Sequence, residues 1–120
     1  MSLGLFGRGQ EVPSFSIEHV EGQRINGTVV AKKLLHGRNA LLVEVTIRRG
    51  TVTPVHRHLH ESYLYVVSGR VKATVGDEVY VAGPGDAVLH PAGIDHISEA
   101  LEDAVWIEVK VPAEETWHPS

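Results

Sequence analysis

Apolar side chains in this sequence recur at every second position, and that period of two confines the chain to pleated sheet. The run Leu41-Leu42-Val43-Glu44-Val45-Thr46-Ile47 shows it, as do Val71-x-Ala73-x-Val75 and Val105-x-Ile107-x-Val109. Valine dominates these runs, and its branched β-carbon suits a pleated surface better than a helix. Strands are predicted over Thr28 to Leu35, Ala40 to Ile47, Tyr63 to Val67, Arg70 to Val75, Glu78 to Val81 and Val105 to Val111. No segment carries a sustained helical stripe, so the fold class is all-β. Gly76-Asp77 lies between two alternating runs and predicts a tight hairpin, because glycine supplies the positive φ such turns need. Gly50, Gly69, Gly83-Pro84-Gly85 and Pro91-Ala92-Gly93 break the remaining runs.

The chain has 120 residues, room for one hydrophobic core. Residues 21–112 are expected to form it, with an N-terminal arm over 1–20 and a tail over 113–120. There is no cysteine, which removes disulfides, thiolate metal sites and thiol nucleophiles; a bound metal would have nitrogen or oxygen ligands. Eleven basic against fifteen acidic side chains give a formal charge of -4, which disfavours nucleic acid as a partner. The longest apolar stretches are interrupted by Glu44, Glu108 and Lys110 and fall far short of the roughly 20 residues a membrane helix needs. The opening residues turn polar at once, unlike a secretory signal, so the expectation is a cytoplasmic protein away from membranes.

Histidine carries the chemical signal. Five of the eight, His56, His58, His60, His90 and His96, fall in one stretch bounded by predicted strands. On a strand His56, His58 and His60 would project from one side with neighbouring Cβ atoms about 7 Å apart, a chelating spacing for adjacent imidazoles. A solvated polar edge would show the same pattern. The segment Gly85 to His96 adds a strand entering a turn fixed by Pro91 and Gly93, from which His96 emerges. Neutral imidazoles suit a divalent transition metal such as Zn, Fe, Mn, Ni or Cu.

Gly50-x5-His56-x-His58 followed by Gly69, and then Gly85-x5-Pro91-x-Gly93-x2-His96, resemble the two sequence motifs of the cupin family. The resemblance covers residues 30–111 and implies a small jelly-roll β-barrel of the RmlC-like kind, with a metal held by His56, His58 and His96. It also implies a homodimer, with Leu5 to Val20 crossing to the neighbour and covering an edge. Two positions depart from the family pattern. Ser62 stands where cupins carry a ligand glutamate, and Ala100 stands at the asparagine of the second motif. Glu61 is one residue early and on the opposite strand parity, so it reaches a metal only through a bulge.

The remaining candidates stay open at this point. His60 reads as a fourth ligand, a proton shuttle or an exposed histidine, and His90 as facing the cavity or the surface. Tyr63, with His60 and His90, is a catalytic candidate, while Tyr65 reads as packing. Trp106 and Trp117 read as core and interface residues, and His19, His36 and His118 as surface. Within the family the rhythm of Pro54 to His60, Leu64 to Gly69 and Leu101 to Val109 is similar to proteins of pectin and uronate breakdown. That resemblance implies metal-assisted ring opening, isomerisation or tautomerisation of a small sugar acid or similar carboxylate. Where those proteins offer an acid, an aromatic and a base, this chain reads Glu108, Lys110 and Glu114. The alternatives are a three-histidine iron dioxygenase acting on a chelating substrate, and a non-catalytic module that binds or senses a small anionic organic molecule.

Overall fold

The computed structural model describes residues 4–113, and every regular element in them is a strand. Trp117, His118 and Glu114 lie outside the described residues. Eleven strands follow in order: β1 (Phe15–Ser16), β2 (His19–Val20), β3 (Gln23–Arg24), β4 (Val29–His36), β5 (Leu41–Ile47), β6 (Glu61–Ser68), β7 (Val71–Val75), β8 (Glu78–Ala82), β9 (Ala87–His90), β10 (His96–Ala100) and β11 (Ala104–Val111). A six-stranded sheet has the order β1-β4-β5-β11-β6-β9, and a three-stranded sheet the order β10-β7-β8, all antiparallel. The non-consecutive order places the last strand, β11, in the middle of the large sheet. Both sheets contribute to one apolar core, with Val43, Val45 and Trp106 from one and Val71 and Ala100 from the other. The all-β expectation holds, with β1, β2, β3 and β10 added to the strands read from sequence. Ile17 and Val20, from the segment expected as an arm, are core residues.

The glycines that break the runs have a backbone reason. Gly50, Gly69, Gly85 and Gly93 have φ of 84°, 77°, 89° and 76°, the left-handed region that a Cβ disfavours. At Gly69 a Cβ would also run into the Asp103 carbonyl and Ala104, so the β6–β7 turn packs directly against the start of β11. Gly76, with φ of 58°, makes the expected two-residue hairpin, in which Val75 pairs with Glu78.

Alternation along the strands of the large sheet buries one face, and that inner face grades from apolar to polar. On β11 the inward residues are Ala104, Trp106, Glu108 and Lys110; on β6 they run from Val66 and Leu64 to Ser62; on β9 they end at His90. Register aligns the polar ends in one row, with Ser62 opposite both His90 and Lys110. Burying so many polar groups is costly unless they find partners. Here they gather at one end of the core, and the histidine-bearing loops close over that end.

Candidate metal centre

His56 and His58 do not lie on a regular strand, contrary to the sequence expectation. Between β5 and β6 the chain bends repeatedly, and β6 begins only at Glu61. Pro54 lacks an N–H, and the segment's pairing is divided among neighbours: Val52 bridges Asn26 and Glu99, and His56 bridges His96. The two histidine-bearing stretches are thereby fastened together. His96 N donates to His56 O at 2.8 Å, His56 N returns a bond to His96 O at 3.2 Å, and Gly93 N donates to His58 O at 2.8 Å. An Arg57–Asp95 ion pair at 2.9 Å closes the same junction on the exposed side.

The result is a cluster of buried imidazoles. One ring nitrogen each from His56, His58 and His96 lies within 4.8 Å of the others. Their second nitrogens are all occupied by acceptors. His56 Nδ1 donates to Pro54 O at 2.6 Å, His96 Nδ1 to Ile94 O at 3.3 Å, and His58 Nδ1 to the Glu21 carboxylate at 2.7 Å. A carbonyl or carboxylate oxygen can only accept, so each Nδ1 carries the proton and each Nε2 keeps its lone pair. That is the tautomer a metal ligand requires.

Electrostatics keep the rings neutral. Burial lowers the pKa of His58 to about 2, helped by the Lys110 ammonium, and that of His96 to about 3, helped by His90. Burial also lowers His56, partly opposed by its bond to Pro54. Protons therefore do not compete with an ion at neutral pH. A cavity of about 30 Å³ opens among His56, His58, His90, His96, Ser98, Trp106 and Glu108, space for one ion or water. Three neutral nitrogens, with no carboxylate oxygen in the grouped ligand set, fit a divalent transition ion with positions left for an incoming oxygen.

The other candidates fall into place around this cluster. His60 is 2% exposed rather than a surface residue, and its ring stacks on His58 with centroids 4.4 Å apart. Lys110 Nζ lies 3.3 Å from His60 Nε2. His90 lines the cavity and stacks on His96 at 3.8 Å; burial lowers both His60 and His90 to about 4. Ser62 is buried with its Oγ unpartnered, as are His60 Nδ1 and His90 Nε2. Glu61 and Tyr63 occupy the other parity of β6, where they interact with each other, and Tyr63 is 51% exposed. No bulge turns Glu61 inward at this end of β6, where Glu61, Ser62 and Tyr63 pair in unbroken register with Val111, Lys110 and Val109. Neither residue joins the cluster. Ala100 is a core residue, and His19 and His36 are exposed.

Beneath the histidines lies a buried ion pair. Lys110 Nζ contacts Glu108 Oε2 at 2.9 Å, and Trp106 Nε1 donates to Glu108 Oε1 at 3.0 Å. Burial raises the Glu108 carboxyl, but Lys110, His90 and these hydrogen bonds outweigh it and hold the pKa at about 2. The sequence reading missed Glu21, which approaches His58 across 37 positions of chain. A larger groove of about 530 Å³ runs between β8 and β9, lined by residues such as Tyr80, Val81, Leu89 and Pro91, and holds none of these histidines.

The family profile of the cupin domain matches residues 43–110. The uncharacterized protein SCO3923 of Streptomyces coelicolor is 30% identical over 92 residues, which cover 73% of this chain and 88% of that one. Among solved structures, an RmlC-like cupin from Shewanella frigidimarina superposes with a TM-score of 0.82 at 23% identity, covering 96% of this chain and 97% of its own. KdgF from a Halomonas species superposes with a TM-score of 0.79 at 27% identity, covering 93% of this chain and 96% of its own. With these matches, two facing antiparallel sheets and a three-histidine cluster at the polar end of the core, the chain belongs to the cupin family.

Proposed function

We propose that this protein is a metal-dependent enzyme that acts on a small sugar acid or a similar carboxylate by ring opening, isomerisation or tautomerisation. The observation that carries the reading is the set of three neutral imidazoles, His56, His58 and His96, whose ligand atoms group without a carboxylate oxygen among them. A divalent ion in such a set keeps its full charge and supplies Lewis acidity toward a carbonyl or ring oxygen. His90 faces the cavity, stays neutral and has an unpartnered Nε2, which suits it to hold or move the substrate proton. His60 is the second candidate, held through its contact with Lys110. The likeness to KdgF and the motif rhythm of the pectin-breakdown cupins support a uronate-like substrate.

The test follows unsaturated galacturonate with metal-loaded protein, metal-free protein and buffer. Consumption by the loaded protein alone is the expected result, and equal rates in all three would overturn the reading. Iron(II)-loaded protein in an oxygen electrode separates this chemistry from the dioxygenase alternative, for which uptake with a chelating acid or diketone is required.

The proposal extends to a cytoplasmic homodimer. Leu5 and Phe6 stand 93% and 72% exposed, as expected for residues that a second copy covers. A monomeric mass by sedimentation equilibrium would remove the dimer.

A further inference from the structure

The hairpin β2–β3 runs alongside the loop that bears His56 and His58, and it touches that loop in step. Asn26 bridges Val52, with backbone bonds of 3.2 Å and 2.9 Å in the two directions. Three residues earlier Gln23 Nε2 donates to Val55 O at 2.9 Å, and two residues earlier again Glu21 accepts from His58 Nδ1 at 2.7 Å. The hairpin is closed by Ile25 N donating to Glu18 O at 2.8 Å and anchored by Val20, a core residue that also lines the cavity. Glu21 sits at its tip with φ of 49°, and among the described residues it is the only non-glycine with positive φ. Its neighbour Gly22 has φ of 77°, so the tip is built from two left-handed residues of which one bears a side chain. An L-residue is held there at a cost, and such outliers persist where a side chain is needed.

We infer that Glu21 is a positioning residue of the metal centre, and that the β2–β3 hairpin is the arm that delivers it. The inference rests on the proposed metal site and goes beyond it by making metal affinity depend on a carboxylate outside both histidine stretches. His56 and His96 each donate from Nδ1 to a carbonyl two residues earlier in their own loops, at Pro54 and Ile94. His58 Nδ1 donates instead to the Glu21 carboxylate, 37 positions away in the chain. The carboxylate fixes the ring orientation, keeps the proton on Nδ1 and makes Nε2 a stronger donor.

The experiment compares full-length wild type with Glu21→Gly and Glu21→Gln, using cobalt(II) as the probe. Affinity comes from competition with a chelator, geometry from the visible spectrum of the bound ion, and stability from the melting temperature of metal-free protein. Glu21→Gly removes the acceptor at a position whose φ glycine adopts freely, so the expected result is a cobalt(II) affinity lower by about 10-fold to 100-fold. Its metal-free melting temperature stays level or rises. Glu21→Gln keeps an amide oxygen for the Nδ1 proton and is expected to retain more affinity than Glu21→Gly, with the wild-type spectrum. Coupling is reciprocal, so cobalt(II) slows amide exchange of residues 18–26 in wild type and not in Glu21→Gly. Wild-type affinity in Glu21→Gly would overturn the inference. So would a fall in affinity matched by a fall in metal-free stability, or a Gln variant no better than Gly. A wild type that binds no cobalt(II) would instead defeat the metal site itself.

Discussion

The Lys110 ammonium stands between two buried partners, 2.9 Å from Glu108 Oε2 and 3.3 Å from His60 Nε2. An ammonium only donates, so His60 Nε2 accepts and the His60 proton sits on Nδ1, one of the unpartnered buried atoms. Lys110 and Glu108 are 1% and 3% exposed, so neither charge can turn to water if the other is removed. Lys110→Met is therefore expected to cost about 3–5 kcal/mol, because it strands a buried carboxylate. Adding Glu108→Gln removes that charge and keeps an acceptor for Trp106 Nε1, so the double variant recovers most of the loss. Urea unfolding of the metal-free variants checks this, and a double variant as unstable as Lys110→Met would refute the pairing argument.

Acid has a predictable effect on the metal-free protein. His60 and His90 titrate at about 4 in the folded chain, His96 at about 3 and His58 at about 2, against an ordinary 6.5 when unfolded. Between pH 6.5 and 4 the unfolded chain binds protons that the folded chain refuses, so stability rises with pH across that window. The folded state is fully favoured above 6.5 and loses ground as pH falls. Glu108, at about 2 in the folded chain against an ordinary 4.5 when unfolded, adds a slope of the same sign at the acid end of that window. Urea midpoints at pH 7.5, 6 and 5 are expected to decline in that order, and a level midpoint would show the histidines to be protonated or solvated in the folded protein.

His96 and His90 stack at 3.8 Å yet are assigned different work. His96 belongs to the three-nitrogen cluster, whereas His90 lines the cavity beside it. His96→Ala is expected to retain only trace metal after dialysis. His90→Gln is expected to retain metal within about 10-fold of wild-type affinity, the smaller effect of losing a neighbour rather than a ligand, while turnover falls 100-fold or more for a lost proton carrier. Elemental analysis with parallel turnover assays decides it, and a His90→Gln variant as metal-poor as His96→Ala would move His90 into the ligand set.

Local patterning made the scaffold legible. The alternation over Leu41 to Ile47 and the Gly76-Asp77 hairpin can each be read within a few residues, and both stand in the structure. The grouping of His56, His58 and His96 was legible as spacing. Their backbone was not, because Val52 and His56 find pairing partners in chain segments far away in sequence. Burial of His60 and His90 was equally hidden, since a histidine neutralised by desolvation and an exposed one look alike in sequence. Tyr63 shows where the reading stopped short: the parity that sets Glu61 apart from Ser62 sets Tyr63 apart too. Glu21 had no local signal beyond the neighbouring Gly22, because its role exists only once the hairpin folds onto the loop.

Ser62 provides the last test. It is 1% exposed, its Oγ has no hydrogen-bond partner, and its backbone pairs with His90 on one side and Lys110 on the other. A glutamate at this inward position would place a carboxylate beside the imidazole cluster and within the field of Lys110. Ser62→Glu is expected to raise metal retention, because it adds an anionic oxygen ligand and lowers the net charge left on the ion. The same neutralisation weakens binding of small carboxylates at the open positions. The larger side chain in a filled row is expected to cost about 1–3 kcal/mol in the metal-free protein, so metal should stabilise the variant more than it stabilises wild type. Melting temperatures with and without metal, together with carboxylate titration by calorimetry, measure all three effects. Unchanged retention combined with unchanged carboxylate affinity would place Ser62 away from the ion.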